Sequence, residues 1–473
     1  MSAARFEPGR VRRFRFLGYG FDFETATARL EYGFDDTHRF REELVFPGPP
    51  GPFDAAGRAA LDRCLRYLHL AAGVSYFKAA APPEISVETG AVAAAEAEFF
   101  GELYRRGLAE FAYRNRLPAL LDGIVFPSSS AAEPPPPPPV ELPRVTAVPI
   151  GGGKDSVVTL EALAGAGEPL VAVAVGGYRP IRRTAETAGR ELRVVERRIC
   201  PRLLELNRRG ALNGHVPVSA VIAFTLAAAA PLLGFDAAAL SNERSADAPD
   251  LVFAGHPVNH EFSKSLRFEA AADRLISAGA LPGFSYFSLL RPFSELSIAG
   301  LFARHRAYHA VFRSCNAAYR LAPRERAGAW CGDCPKCRFV FLALTPFLGP
   351  AELTAIFGAR LLDDEAQLPG YRRLAGLEGH RPLECVGDEE ESSAALLLAA
   401  ARPEWRDDLV VRRLAPPVRE RSGDPQDLVR RVLTPSSEHR IPRRHAEVVG
   451  RLLSTALDDR DRLLALLERR VGA

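Results

Sequence analysis

The chain has 473 residues, of which 47% are hydrophobic and 25% charged, an ordinary globular composition that excludes disorder, collagen and coiled coil for the whole chain. Its 61 Lys and Arg residues against 58 Asp and Glu residues leave a net charge of +3, which does not favour a polyanionic partner. Four of the seven cysteines fall within 23 residues, which favours a reduced compartment and a metal site over a disulfide framework. Because residues 1–16 lack the apolar core of a signal peptide, we expect a cytoplasmic protein.

The first predicted elements form an α+β N-terminal domain over residues 1–126. Residues 14–46 alternate apolar and polar side chains between Gly and Asp-Asp breaks, which predicts a small antiparallel meander. Helical spacing predicts two helices over residues 54–72 and 91–114, and residues 85–87 predict a short strand between them.

A proline-rich segment at residues 127–143 separates this domain from the next. Its six consecutive prolines (Pro134–Pro139) favour extended polyproline II, which acts as a semi-rigid linker. Residues 144–348 then alternate hydrophobic strands with helices, which predicts an α/β domain with a doubly wound parallel sheet. The predicted strands span residues 145–150, 170–175, 192–199 and 237–240, and the predicted helices span residues 156–166, 181–189 and 218–233. Residues 349–473 have helical spacing and predict an α-helical C-terminal region.

The long apolar stretch at residues 216–240 is the one candidate for a membrane span. It is rich in alanine and contains Pro231, Gly234 and Asp236. We therefore expect a buried helix followed by a strand, and no membrane partner.

Lysine is rare in this chain, since only four of the 61 basic residues are lysines. A flexible ammonium kept against such a bias is more often functional than an ordinary surface lysine. The four are therefore candidate site residues, with solvated surface positions as the alternative: Lys78, Lys154, Lys264 and Lys336.

A glycine-rich loop, Gly151-Gly152-Gly153-Lys154-Asp155-Ser156, lies directly between the first strand of the α/β domain and a helix. It matches neither the Walker A pattern nor the dinucleotide-binding fingerprint. Its glycines bring backbone N–H groups close to an anion, the helix N-terminus and Lys154 add positive charge, and Asp155 is a candidate Mg²⁺ ligand. The loop predicts a phosphate-binding site, with an ordinary glycine-rich turn as the alternative.

The hexapeptide resembles the PP-loop of the N-type ATP pyrophosphatases, whose usual form is Ser-Gly-Gly-x-Asp-Ser. The resemblance implies a PP-loop, adenine nucleotide alpha hydrolase-like domain in which residues 152–156 bind the pyrophosphate of ATP. Such enzymes cleave ATP to AMP and pyrophosphate, with Mg²⁺, and activate a carboxylate or carbonyl oxygen as its adenylate. We include Gly151 in the predicted ATP site, although it stands where serine is usual and one hydroxyl contact is lost.

A cluster of the form C-x15-C-x2-C-x2-C is made by Cys315, Cys331, Cys334 and Cys337. Two-residue spacers let thiolates converge on one tetrahedral ion, so the cluster predicts a structural Zn²⁺. A [4Fe–4S] cluster and unliganded thiols are the alternatives. The other three cysteines are isolated, and we expect them to be ordinary residues: Cys64, Cys200 and Cys385.

Five further segments narrow the choice within the superfamily. They read GVSYFK (73–78), SNERSA (241–246), NHEFSKS (259–265), SLLRPFSEL (288–296) and RPLECVG (381–387). Together with the loop and the cysteines they resemble, over nearly the whole chain, the ATP-dependent UDP-N-acetylmuramoyl-L-alanyl-L-glutamate epimerase family of bacterial peptidoglycan synthesis. The resemblance implies conversion of the terminal L-Glu of this small-molecule substrate to D-Glu, with ATP giving AMP and pyrophosphate.

The implied reaction requires groups that move the proton at Cα. A free carboxylate opposes its removal because a second negative charge accumulates beside it, and adenylation removes that obstacle before a base and an acid act. The candidates lie after the third strand: His215, Glu243, His256, His260 and Lys264. We favour Glu243, His260 and Lys264 as catalytic residues with Asp155, because the loop with Asn259 should reach the carboxyl edge of the sheet. Glu243 has a rival role as a Mg²⁺ ligand or adenosine contact.

The predicted substrate-binding residues are cations, which suit a carboxylate or a diphosphate. They are Lys78, Arg244 and Arg291.

Two other functions stay open. The first is a PP-loop enzyme that acts on tRNA or a purine-like base, since the 7-cyano-7-deazaguanine synthases have a similar cysteine cluster and some tRNA-thiolating relatives carry C-x2-C pairs. Residues 179–209 hold ten arginines against four glutamates, a local charge of +6 that suits a nucleic-acid backbone, but no aromatic interleaving supports such a partner. The second is a non-catalytic scaffold, suggested by Gly151.

Overall fold

The computed structural model describes residues 5–48, 53–129, 137, 139–319 and 329–471. The strands are β1 (Arg13–Asp22), β2 (Thr27–Phe34), β3 (His38–Val45), β4 (Glu84–Val87), β5 (Thr146–Pro149), β6 (Leu170–Val175), β7 (Leu192–Arg198), β8 (Ala237–Leu240), β9 (Leu251–Phe253), β10 (His256–Val258) and β11 (Ser285–Ser288). Within the described ranges, nine of them form one sheet in the spatial order β11-β8-β5-β6-β7-β3-β2-β1-β4, and β9 and β10 pair separately.

Helices cover both faces of the sheet and form the C-terminal region. They are α1 (Ala55–Ala72), α2 (Val74–Phe77), α3 (Ala94–Gly107), α4 (Ala109–Asn115), α5 (Leu120–Gly123), α6 (Lys154–Gly165), α7 (Arg179–Thr187), α8 (Pro201–Arg208), α9 (Val218–Leu233), α10 (Leu266–Gly279), α11 (Glu295–Ala303), α12 (Pro335–Leu344), α13 (Pro350–Phe357), α14 (Leu368–Leu374), α15 (Glu389–Ala401), α16 (Leu409–Ser422), α17 (Pro425–Leu433) and α18 (Ala446–Val471).

The five strands β7-β6-β5-β8-β11 are parallel, which confirms the predicted parallel sheet. Their chain order is 3-2-1-4-5, the doubly wound arrangement, and the direction of winding reverses between β5 and β8. Alternate side chains serve both faces: Ala147 and Ala238 join the core with α9, whereas Val148 and Ala239 join the core with α6. The first four strands and three helices predicted for this region agree with the structure to within two residues.

The predicted N-terminal meander is confirmed as β1, β2 and β3, with β4 added parallel to β1. The meander does not form a sheet of its own, because β3 pairs antiparallel with β7 and extends the parallel sheet. Beside this joint, the buried Glu42 carboxylate accepts a hydrogen bond of 2.6 Å from Arg197 Nε. The sheet therefore crosses the boundary expected at residues 127–143, and the division into domains stays a prediction.

The C-terminal region is helical from α13 to α18, as the spacing predicted, and packs in one core with α11 and α12. The apolar stretch at residues 216–240 forms α9 and β8, and α9 packs against α1. Among the described residues, no helix is long and apolar enough to cross a membrane. The predicted proline run lies outside the described residues, except for Pro137 and Pro139.

Candidate functional site

A cavity of about 600 Å³ opens where the carboxyl ends of β5 and β8 lie side by side. Its size is typical of a small-molecule site, and α/β sheets bind ligands at the point where their winding reverses. The lining includes the glycine-rich loop, the residues after β8, part of the segment before α12 and single residues from elsewhere. The charged and nucleophilic members are Lys154, Asp155, Glu243, Lys264, Glu295, Lys336 and Cys385.

The glycine-rich loop connects β5 to α6, and hydrogen bonds from the segment that follows Phe312 hold it in place. Gly152 has a left-handed φ of +80°, its carbonyl accepts the Arg313 N–H at 2.7 Å, and a methyl group there would lie 2.7 Å from the Tyr319 hydroxyl. That hydroxyl also lies 2.8 Å from the Gly151 carbonyl oxygen. A methyl group at Gly151 would meet nothing within 4 Å, so only Gly152 requires glycine.

Lys154 is the first residue of α6 and is almost fully buried, at 3% exposure. Its ammonium donates hydrogen bonds to the carboxylates of Asp155 and Glu295. Burial lowers the pKa of Lys154, but the two carboxylates raise it further, so the net shift is upward and the ammonium stays charged. The Asp155 side chain is 31% exposed and faces the cavity. Positive charge, a helix N-terminus and an accessible carboxylate thus meet at one wall.

Glu243 follows β8 and lies in the cavity wall at 2% exposure. Its Oε1 has no hydrogen-bond partner among the described residues. Burial raises the pKa of Glu243 to about 7, and the nearby Glu261 carboxylate adds to the increase. A buried carboxyl group that exchanges a proton near neutral pH is suited to acid or base catalysis.

Arg291 does not line the cavity but links two groups that do. Its buried guanidinium donates to the backbone carbonyls of Glu243 at 2.6 Å and Lys264 at 2.5 Å, and to the Glu269 carboxylate at 2.8 Å. Through these contacts Arg291 positions the backbone at Glu243 and Lys264. Its predicted contact with substrate remains a prediction.

Lys264 ends a short 3-10 turn, and its Nζ donates to Glu261 Oε1 at 2.7 Å. Burial lowers the pKa of Lys264, but Cys385, Glu261 and Glu243 raise it well above its usual value. The cavity therefore holds a second ammonium, which is partly buried and lies near Glu243.

His260 lies behind this wall and does not line the cavity. Its Nδ1 is 2.5 Å from Glu110 Oε2, and the centroid of its ring lies 4.3 Å from that of the His215 ring, with the two planes tilted by 44°. Burial lowers the pKa of His260, but Cys385 and Glu110 raise it to about 10. Cys385, which lines the cavity, therefore connects His260 to it.

The remaining predicted site residues lie outside the cavity. His256 faces Asp122 at 3.0 Å, and Asn259 donates to the Ala246 carbonyl at 2.9 Å. Arg244 donates to the carbonyls of Val432 and Thr434 near the end of α17. The Lys78 ammonium bonds Asn213, and burial lowers its pKa to about 8. Of the four lysines, the other three line the cavity.

The four clustered cysteines come together as the spacing predicted. Their sulfur atoms lie within 4.8 Å of one another, and three pairs are 3.5, 3.6 and 3.9 Å apart. Four sulfurs bonded at about 2.3 Å to one tetrahedral ion would lie about 3.8 Å apart, so the donor set fits zinc. The same segment carries Ser314, Asn316, Lys336 and Phe339 in the cavity wall.

Sequence reasoning missed three contributors to the site. Cys385 was expected to be an ordinary residue, and Glu295 and Glu110 were not considered. Glu295 and Cys385 lie inside segments that carried the family resemblance, whereas nothing in the local sequence distinguishes Glu110.

The fold and the site define an α/β protein with a ligand cavity at the switch point of a doubly wound sheet. Family models described as the MurL N-terminal domain and the MurL C-terminal domain match residues 5–289 and 311–428. The chain belongs to the MurL family, which confirms the resemblance seen in the sequence.

Three curated relatives carry the name UDP-N-acetyl-alpha-D-muramoyl-L-alanyl-L-glutamate epimerase. The protein from Xanthomonas oryzae pv. oryzae is 41% identical over 92% of this chain and 96% of its own length. A Micromonospora protein is 42% identical over 93% and 98%, and the Salinispora tropica protein is 41% identical over 94% and 97%.

The loop geometry predicts opposite outcomes for two neighbouring glycines. Gly152→Ala should destabilise the protein by more than about 1 kcal/mol, because alanine at a positive φ is strained and its methyl group meets Tyr319. Gly151→Ala should change stability by less than about 0.5 kcal/mol. Thermal unfolding of both variants checks this, and equal midpoints would contradict the described loop.

Proposed function

We propose that this chain converts the terminal L-Glu of UDP-N-acetylmuramoyl-L-Ala-L-Glu to D-Glu, and that ATP activates the substrate by adenylation with release of pyrophosphate. One observation carries the proposal: a single cavity holds the glycine-rich loop with Lys154 and Asp155 at one wall and Glu243 and Lys264 at another. The names of the relatives, at about 41% identity over most of the chain, support the same reaction.

ATP is proposed to bind at the glycine-rich loop in the manner of a PP-loop. The N-terminus of α6 and the Lys154 ammonium favour the phosphates, and the open space at Gly151 leaves the backbone accessible. The Asp155 carboxylate, which is 31% exposed and faces the cavity, fits a Mg²⁺ ligand. Bound Mg²⁺ would supply charge neutralisation for the departing pyrophosphate.

At the other wall, the proposed chemistry concerns the proton at Cα. In the acyl-adenylate, the carbonyl oxygen accepts the electron pair that the departing proton leaves, so the second negative charge beside a carboxylate is avoided. Glu243 suits the acid that returns a proton, because burial and Glu261 keep its carboxyl protonated up to about neutral pH. The positive charge of the Lys264 ammonium would stabilise the enolate that exists after the Cα proton leaves and before a proton returns.

The cysteine cluster is proposed to hold structural zinc. A [4Fe–4S] cluster binds each cysteine to a different iron and spreads the sulfurs farther apart than the short distances found here. A closed set of four thiolates leaves no position for substrate, so the ion would stabilise the segment that forms one cavity wall.

The direct test of the function is incubation of the protein with ATP, Mg²⁺ and UDP-N-acetylmuramoyl-L-Ala-L-Glu. AMP, pyrophosphate and D-Glu should form together, and none should form without ATP. Release of AMP without a change in glutamate chirality would reject epimerisation.

Replacement of the candidate Mg²⁺ ligand should stop adenylation. Asp155→Asn keeps the shape of the side chain but removes its charge, so AMP formation should fall about 10²–10³-fold while the protein stays folded. Asp458→Asn, at an exposed position of α18, is the matched control. Near-parental AMP formation by Asp155→Asn would reject the assigned role.

Proton exchange at Cα should depend on adenylation. Solvent deuterium should enter the glutamate α-position only with ATP, and an analogue that cannot release pyrophosphate should not replace it. Glu243→Gln should retain ATP–pyrophosphate exchange but slow deuterium entry about 10²–10⁴-fold.

The pH dependence of α-proton exchange tests whether Glu243 acts as an acid. Because an acid must carry its proton, the parental rate should fall as pH rises through about 7, and Glu243→Gln should lose this decline. Exposed Glu186→Gln is the control. If deuterium entered the glutamate α-position without ATP, adenylation would not have to precede removal of the Cα proton, and the proposed order of these two steps would be wrong.

Loss of a metal-binding cysteine should lower the stability of the folded protein. Cys334→Ser should lose bound zinc and unfold at a lower temperature, because a structural metal site contributes directly to stability. Cys200→Ser, outside the cluster, should change neither property. An unchanged zinc content in Cys334→Ser would show that the four sulfurs do not bind the ion.

A further inference from the structure

Cys385 lines the cavity from the segment between α14 and α15. This segment is anchored by Arg381, whose Nε donates to Asp250 Oδ1 at 2.7 Å. The second oxygen of Asp250 accepts the backbone N–H of His260 at 2.8 Å. One buried carboxylate therefore brings Cys385 and His260 together, although they are distant in the chain.

Three side chains then form a line that leads away from the cavity. His260 lies close enough to Cys385 to lower the pKa of its thiol, and the His260 Nδ1 is 2.5 Å from Glu110 Oε2. Glu110 is 4% exposed, and His215 closes the other side of the imidazole. A thiol, an imidazole and an orienting carboxylate in this order are the arrangement that activates a cysteine.

The charges around Cys385 favour its thiolate. Burial raises the pKa of Cys385, but Lys264, Lys336 and His260 lower it well below its usual value. Glu261, which is bonded to Lys264, is the anion that faces the same group. The cations near the sulfur therefore outnumber the nearby anion, which favours the thiolate form of Cys385.

The same cavity holds the complementary group. Glu243 is nine-tenths buried or more, and its Oε1 has no partner within the described part of the chain. Glu243 follows β8, whereas Cys385 comes from the C-terminal region, so the two enter the cavity from different elements. Inversion at Cα needs two such groups, one to take a proton and one to return it.

We propose that the Cys385 sulfur is the base that removes the Cα proton of the adenylated glutamate, that Glu243 is the acid that returns a proton, and that His260 and Glu110 are positioning residues that hold the sulfur as a thiolate. This deepens the proposed function and rests on it.

The step balances without a further reactant. The Cα–H bond breaks, an S–H bond forms, and the electron pair moves onto the carbonyl oxygen of the acyl-adenylate. The Glu243 O–H then breaks, its proton bonds to the other face of Cα, and the electron pair returns from oxygen. Water takes the proton from Cys385 and supplies one to Glu243, which restores both groups. A further water molecule hydrolyses the acyl-adenylate, so that AMP leaves and the D-Glu carboxylate is released.

The first test compares two cysteine variants. Cys385→Ser should retain substrate-dependent ATP–pyrophosphate exchange but slow α-proton exchange and D-Glu formation about 10²–10⁴-fold, while Cys200→Ser should match the parent. Parental epimerisation by Cys385→Ser would overturn the inference. If the parent forms neither AMP nor D-Glu, the proposed function itself fails.

The second test needs only the folded protein. Alkylation of Cys385 by iodoacetamide, followed by peptide mass spectrometry, should be fast and nearly independent of pH from 6 to 9. Glu110→Gln and His260→Gln should make it rise with pH in that range, and substrate with ATP should slow it. A parental profile that rises as for an ordinary thiol, with a pKa of about 8.5, would overturn the inference.

Metal analysis tests the alternative that Glu110, His215 and His260 bind a metal ion themselves. The ligand atoms of Glu110, His215 and His260 lie within 4.8 Å of one another, which is close enough for a shared ion. The parent should hold one zinc, lost in Cys334→Ser and unchanged in His260→Gln. A second metal ion that disappears in His260→Gln would assign the three residues to metal binding and overturn their role behind Cys385.

Discussion

The buried guanidinium of Arg291 holds together the two parts of the site that the chain delivers separately. It donates to the backbone at Glu243, after β8, and at Lys264, on the loop before α10. Burial of a charged group is costly, and Glu269, which is buried beside it, offsets that cost. Because both contacts are to backbone carbonyls, the spacing of the two loops depends on the guanidinium, whereas their side chains stay available to the cavity.

The cavity is built around two ammonium groups with carboxylates beside them, of which one is buried and the other partly buried. Lys154 lies between Asp155 and Glu295, and Lys264 lies beside Glu261 and near Glu243. Such groups keep their charge because the carboxylates beside them offset the cost of burial. In the proposed reaction, the wall with Lys154 binds the phosphates of ATP, and the wall with Lys264 supports proton transfer.

The cysteine cluster contributes to the site through the wall that it stabilises. Its segment fixes the glycine-rich loop through Arg313 and Tyr319 and places Lys336 near Cys385. Asn316 bonds Glu384, the neighbour of Cys385. The cysteine cluster and part of the cavity wall thus share one short stretch of chain.

Local sequence patterns were sufficient for the features that depend on neighbours in the chain. Hydrophobic periodicity located β5 to β8, the spacing of the cysteines located their cluster, and the loop was recognised from six consecutive residues. The family resemblance rested on short segments and is confirmed by the family models. Each of these features is specified within one or two elements, so no knowledge of the packing was needed.

Features that join distant parts of the chain depended on the tertiary structure. The pairing of β3 with β7 could not be read from either strand, because strand alternation does not specify a partner. His256 and His260 belong to one polar stretch, yet His256 faces Asp122, whereas the backbone of His260 is held by Asp250 and its ring by Glu110, 150 residues earlier. Cys385 looks ordinary in sequence because the cations that lower the pKa of its thiol come from two other segments, residues 259–265 and the start of α12, and only folding brings their charges within reach of its sulfur.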